Sequence, residues 1–370
     1  MRTTEAIGAA RRAIEICNAC RFCDGYCVVF QVMELRRAFS NADLGYMANL
    51  CHNCRNCYYA CQYAPPHEFS INPPKSFSQI RVETFEEYAW PRPLASLFRR
   101  NGVIVSLTVI TNIALALILT LALQAPDERF NSHFGPDAFY AVVPWKIMMS
   151  VASATLGLSL FSLTVSVSSF WRDTGGRVAK ANIFRVLWTT LQDVMTLRNL
   201  GGGGHGCNDR GESFSQARRY FHHAVFYGFL LCCASTVIAS IYDNVLNWRA
   251  PYPLLSVPVV LGIGGGLGMV AGVAGLALIK MTGDPNPIAR NVLGADYAVL
   301  SLSLMVAGSG LVLLMFRGTA GMSVLLAIHL GIVLSFFLLL PYSKLIHGIY
   351  RAAALLRAAM ERNVAYAKHV

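Results

Sequence analysis

Two short stretches carry the residues best suited to chemistry. Cys17, Cys20, Cys23 and Cys27 are spaced C-x2-C-x2-C-x3-C, and Cys51, Cys54, Cys57 and Cys61 repeat that spacing. It is the bacterial ferredoxin run, in which three close cysteines hold one [4Fe-4S] cube and the fourth reaches across to the other. Three thiolates two residues apart converge on three irons. A fourth from the same short loop does not easily reach the remaining corner. The spacing therefore predicts two clusters, one on Cys17, Cys20, Cys23 and Cys61, the other on Cys51, Cys54, Cys57 and Cys27. Zinc would use two C-x2-C pairs and leave the third close cysteine unexplained. Disulfides are disfavoured inside a cell. The proline usual after the fourth cysteine is replaced by Val28 and Gln62, which bears on loop shape and not on ligation.

Histidines form the second candidate set. His222 and His223 open an apolar run, and His329 and His347 lie in and just after another. A histidine inside a membrane helix is costly and marks a functional site by default. Eighteen residues are five helical turns, so on one continuous helix His329 and His347 would face the same way about 27 Å apart. That spacing suits haem ligands. Depth pairs His347 with His222 or His223, which predicts one b-type haem near the inner surface. Neighbouring helical residues lie about 100° apart, so only one of His222 and His223 can face His347. The other is then free for a quinone carbonyl, with Arg219 and Lys344 close enough in sequence to help hold the headgroup. His329 has no histidine at its depth and is the weaker candidate, for a second haem or a buried hydrogen bond.

The elements that must position these residues follow from composition. Of 370 residues, 55% are hydrophobic and 14% charged, against about 25% charged in soluble proteins. This excludes disordered and fibrous classes. Eight of the eleven cysteines lie in the first 61 residues, so the chain divides in two. Residues 1–100 are polar and read as a cytoplasmic helical two-cluster domain with its linker. They contain no apolar stretch of the signal-peptide kind. Between 101 and 348, runs with almost no charge lie near 103–123, 145–170, 221–242, 254–280, 296–316 and 322–346. Each approaches or exceeds the roughly 20 residues a membrane-crossing helix needs. Residues 349–370 read as a basic cytoplasmic tail. The expected fold is all-α, a ferredoxin-type domain followed by a six-helix bundle.

Loop charge sets the orientation. With the first residues inside, the inner loops 171–220 and 280–290 and the tail from Lys344 hold 15 Lys and Arg; the outer loops hold three, Arg129, Arg249 and Arg317. That asymmetry predicts an inner-membrane protein with both termini cytoplasmic. The net charge of +11 then belongs to topology, and no nucleic-acid partner is expected. Gly264, Gly268 and Gly272 fall at i, i+4, i+8, a small-residue packing stripe. The glycines of LGGGGHGC (200–207) lack the Lys-Ser/Thr of a phosphate loop and read as a flexible turn, with His205 and Cys207 unassigned. Arg21, Arg36, Arg37 and Arg55, close to the cysteines, are candidates for meeting an acidic partner.

Beyond the cysteine runs, the linker HEFSINPPKSFSQIRVETFEEYAWP and the segment ARRYFHHAVFYGFLLC give a more specific match. Over nearly its full length the chain resembles the tricarballylate-utilisation protein B family, also described as citrate-utilisation protein B. The resemblance implies a protein that takes electrons from a flavin-dependent tricarballylate dehydrogenase and passes them to membrane quinone. It carries over only the eight cluster cysteines; the haem and quinone residues rest on position. Two other readings stay open, a quinol-dependent reductase subunit running in reverse and a non-catalytic iron–sulfur redox sensor.

Overall fold

Three of the five N-terminal helices begin where a polar side chain satisfies a free backbone amide. The Thr4 hydroxyl accepts from the Ile7 amide at the start of α1 (Glu5–Cys20). Helix α2 (Val28–Glu34) follows the first cysteine run. A reciprocal Ser40–Asp43 capping box opens α3 (Asn41–Leu50), an arrangement that fixes a helix start. The short α4 (Asn56–Tyr59) lies inside the second run, and Asn72 caps α5 (Pro73–Tyr88). Their apolar faces meet in one core containing Ile7, Ile14, Met33, Leu44, Leu50 and Phe77.

The structure is a computed structural model and describes residues 4–126, 131–175 and 182–367. Arg129, Arg177, Lys180 and Lys368, four of the residues in the loop-charge comparison, lie outside the described residues. The remaining helices are α6 (Asn101–Leu123), α7 (Ala138–Val142), α8 (Trp145–Asp173), α9 (Ile183–Met195), α10 (Ala217–Asn244), α11 (Val257–Thr282), α12 (Leu293–Phe316), α13 (Met322–Leu339) and α14 (His347–Ala367). No strand forms among the described residues, which carry only an isolated bridge between Cys207 and Ser215. The fold is all-α.

Six helical stretches are long and apolar enough to cross a membrane: Arg92–Leu123, Trp145–Asp173, Ala217–Asn244, Val257–Thr282, Arg290–Phe316 and Met322–Tyr342. Their outward faces carry exposed Val103, Leu107, Ile110, Phe161, Val237 and Leu267. A water-soluble protein rarely shows a belt of this kind, and the chain is a multi-pass membrane protein.

Glycines let two of these helices approach backbone to backbone. A Cβ on Gly272 would stand 2.7 Å from the Phe221 carbonyl, and one on Gly265 2.7 Å from the Gly228 carbonyl. Gly268 also faces α10, whereas Gly264 meets nothing within 4 Å. The stripe is thus 265, 268, 272, not the expected 264, 268, 272. An i, i+4 series drifts about 40° per step around a helix, which carries Gly264 off the contact face.

The sixth span does not continue to His347. Helix α13 stops at Leu339, short 3-10 turns cover Leu340–Tyr342 and Lys344–Ile346, and His347 begins a separate helix. Pro341 explains the break, since it lacks an amide and clashes with the preceding turn. His329 and His347 are therefore not on one helix, and the five-turn argument that sets them on one face as haem ligands fails. The stretch from 349 is helical through Ala367. Its buried Ala354, Leu355 and Ala358 complete the core of the cysteine domain, an i, i+4 apolar face that a count of basic residues overlooks.

Candidate functional site

Both cysteine runs are bent by residues in the left-handed backbone region. Arg21 (φ 56°) ends α1 between Cys20 and Cys23, and Asn53 (φ 56°) and Arg55 (φ 69°) occupy the spacers of the second run. Such conformations cost about 1–3 kcal/mol each and persist where the surroundings impose them. Here they bend the chain sharply between successive cysteines.

Electrostatic coupling sorts the thiols into two groups. Burial pushes the Cys17 thiol up to about 12, helped by neighbouring Cys23, Cys61 and Cys20. Cys23 rises to about 12 by burial and by Cys61, Cys20 and Asp24. Cys27 is raised by burial, then by Cys54 and Cys51. Cys57 is raised by burial, then by Cys54, Cys51, Cys27 and lastly Cys23. The couplings link Cys61 to the first run and Cys27 to the second, and Cys57 also feels Cys23 of the first run. Cys27, Cys51, Cys54 and Cys57 line one small cavity with Phe30 and Phe77. Four mutually repelling thiolates around a cavity fit an iron–sulfur cluster, whose irons neutralise them.

Buried cations surround the second group. Arg81 donates to the Ala48 carbonyl at 3.0 Å and the Cys51 carbonyl at 2.7 Å. Arg351 donates to Asn49 at 3.3 Å and to the same Cys51 carbonyl at 2.9 Å. Burial, then the charge of Arg81, pulls Arg351 down to about 9, with Cys51 opposing. Among the described residues neither guanidinium has a carboxylate partner, and a buried cation needs an anion. An anionic thiolate-bound cluster supplies one. Arg218 donates to the Asn53 carbonyl at 2.6 Å and pairs with Asp209.

The glycine-rich segment is part of this frame and is not a free turn. The Asn208 amide donates to the Cys54 carbonyl at 2.9 Å, Asn199 lines the thiol cavity, and Cys207 is buried with its thiol on the Leu200 carbonyl. Gly206 (φ +119°) lies so close to Ser215 that a Cβ would stand 2.5 Å from its carbonyl oxygen. His205 stacks loosely on exposed Phe214.

The histidines separate into two fates. His222 and His347 come together, ring centroids 6.2 Å apart. The His347 Nδ1 bonds the Lys344 carbonyl at 2.6 Å, which leaves Nε2 free in the manner of a metal-ligating imidazole. The His222 Nδ1 is buried without a partner. Burial holds His347 well below the usual histidine range, with Arg351 and His222 adding to the effect. His223 instead points outward, its Nε2 on the Thr196 carbonyl at 3.0 Å, and Arg219 donates to that carbonyl at 2.9 Å. Neither side chain is directed to the quinone role expected of it, because the end of α9 captures both. His329 bonds Ser309 at 2.8 Å on α12 and is a buried interhelical hydrogen bond. Lys344 and Lys280 share Asp296, which engages Lys344 before any headgroup.

One residue escapes sequence reasoning. His52, between Cys51 and Cys54, bonds the Leu50 carbonyl at 2.7 Å. It is held well below the usual range by burial, then by Arg351, with Arg81 and His222 further contributors. It lines the cavity of the second thiol group and is within electrostatic reach of His222. Its position inside a cysteine run was the available signal. Of the four candidate docking arginines, Arg36 is held by Asp43 at 2.8 Å and Glu361 at 2.7 Å. Arg55 is only 4% exposed and donates to the Asp209 carbonyl. Both serve the interior; Arg21 and Arg37 are exposed.

Fold and site define a class, a multi-pass membrane protein whose cysteine domain is of the iron–sulfur-binding kind. The chain belongs to the citrate utilization protein B family. Residues 97–368 match the family's profile, and residues 10–87 match that of the citrate utilization protein B Fer4-like domain. It is 40% identical over 363 residues to citrate utilization protein B of Escherichia coli, covering 97% of this chain and 93% of that protein. No solved structure matches it.

Proposed function

We propose that the chain is a membrane electron conduit, taking electrons from a reduced flavin-dependent dehydrogenase and delivering them to membrane quinone from an inner-membrane site with both termini cytoplasmic. Two [4Fe-4S] clusters, on Cys17, Cys20, Cys23 and Cys61 and on Cys27, Cys51, Cys54 and Cys57, supply the one-electron steps between these two-electron carriers. The observation that carries the reading is a sequence of neighbours running inward. Cys20 of the first group is exposed beside Phe22 (66% exposed), Cys23 is within electrostatic reach of Cys57, and His52 is within reach of His222, which packs on His347.

Each chain residue then has a task. Phe22, Arg21 and Arg37 offer the partner an apolar and basic face beside the first group. His347, fixed by the Lys344 carbonyl, and His222 present imidazole nitrogens to a b-type haem or to a quinone carbonyl. Lys344 and Lys280 gather on Asp296 close to His347 in the chain, and either could donate to a headgroup only by leaving that carboxylate. The family name and the tricarballylate resemblance point to a dehydrogenase acting on a tricarboxylic acid.

Spectra of the purified protein before and after dithionite test the reading. About eight irons per chain with bleaching of the iron–sulfur band are expected, as is reoxidation by a soluble quinone analogue. Iron near four, or clusters that reduce without quinone reoxidation, would overturn it. A preparation with quinone activity and no haem absorption would assign His222 and His347 to quinone alone.

A further inference from the structure

We propose that α9 is an interfacial helix that lies in the headgroup region of the bilayer and seats the cysteine domain against the membrane. This goes beyond the conduit reading and does not depend on it.

The sequence of α9, IFRVLWTTLQDVM, places Ile183, Phe184, Leu187, Trp188 and Leu191 within an arc of about 140°. All five are exposed, Phe184 at 84% and Trp188 at 61%. The opposite side is occupied. Val186 is buried, Asp193 faces Arg362 at 3.5 Å, and the Asn182 amide donates to Asn363 at 3.0 Å. The bare apolar face is therefore the outer side of a helix already fastened to α14 and, through it, to the cysteine domain.

Continuity with the spans identifies what covers this face. At the end of α9 the Met195 carbonyl accepts from Tyr227 at 2.7 Å, and the Thr196 carbonyl takes His223 and Arg219. Tyr227 is exposed on α10, with half-buried His223 and Arg219 on the same side one and two turns earlier, and exposed Leu230 and Leu231 follow it. Tyr227 stands ten residues, about 15 Å, from the start of that helix. The end of α9 thus lies beside the membrane-crossing stretch, and its apolar face joins the lipid-facing surface of the bundle. Exposed Arg185 and Arg198 flank it. An amphipathic helix with aromatic and leucine residues on one face and flanking arginines is built to lie among anionic headgroups with its apolar side in the acyl boundary.

The test uses the full chain in nanodiscs containing phosphatidylglycerol, comparing wild type with Trp188→Phe so that the difference spectrum isolates one tryptophan. Lipids brominated near the headgroup should quench the Trp188 emission, while acrylamide should have little effect. Emission quenched by acrylamide and indifferent to brominated lipid would overturn the proposal. So would lipid quenching that falls when a flavoprotein partner is added, since the face would then be a protein-docking surface. Iron content and dithionite bleaching of the same discs report on the conduit separately.

Discussion

Arg81 and Arg351 converge on one carbonyl, that of Cys51, and fixed positive charge there favours the more reduced, more negative state of a bound cluster. Burial acts the other way, because a low dielectric penalises added negative charge. At roughly 7 Å and an effective dielectric of 20, one guanidinium contributes about 2 kcal/mol, equivalent to about 100 mV for a one-electron couple. Arg351→Gln should therefore lower the midpoint potential of one cluster by about that amount and leave the other within error, as read by an EPR redox titration. His347→Ala should slow quinone reduction at least tenfold without slowing cluster reduction by dithionite. His223→Ala, whose ring is spent on Thr196, should do neither. At this scale legibility followed locality. The cysteine spacing is a local pattern that a sequence displays in full. Arg351 acquires its surroundings from a segment about 300 residues away, and nothing near it in the sequence announces them, whereas His52 is marked only by its place inside a cysteine run.

Among the elements, helices α10 and α11 meet closely beside His222 through glycine contacts, with Ser235 donating to the Pro258 carbonyl at 2.6 Å further along. Gly272→Val would press a branched side chain onto the Phe221 carbonyl, one residue from His222. Overpacking of this kind costs about 1–3 kcal/mol. A lower unfolding temperature in detergent is expected, with loss of any haem absorption before loss of cluster absorption. Gly206→Ala combines a positive φ with a backbone clash at Ser215. It should loosen the segment over Cys54 and quicken amide exchange at Asn208. The six spans and the helical character of the cysteine domain were legible because apolar run length is a strong, one-dimensional signal. The end of α13 was not. The run 322–346 reads across Pro341, Ser343 and Lys344 to Leu345 and Ile346, and the backbone chemistry of Pro341 divides one helix from the next. Packing of the 200–207 segment was equally hidden, since glycines that permit close approach read like glycines that permit freedom.

Across the whole molecule, the first and last described helices are parts of one unit. Glu361 on α14 accepts from Arg36 at 2.7 Å, from Arg357 at 2.9 Å and from Tyr46 at 3.3 Å, while the Arg357 guanidinium lies 4.3 Å above the Tyr46 ring. Arg36 also holds Asp43, so one carboxylate ties the C-terminal helix to α2 and α3 of the cysteine domain. Removing one member of a largely buried pair leaves the other uncompensated, at about 3 kcal/mol. Glu361→Gln retains the size and the acceptor oxygen but loses the charge, and Arg36 keeps only Asp43. The expected outcome is faster amide exchange in α1–α3 and in the second half of α14, with exchange in the six spans unchanged. Because Arg351 sits on the same helix and reaches the Cys51 carbonyl, the loosening should extend to the second thiol group, seen as faster loss of iron to a chelator. Exchange that rose equally in the spans would mean that α14 stabilises the bundle and not the cysteine domain, and the unit described here would be wrongly drawn.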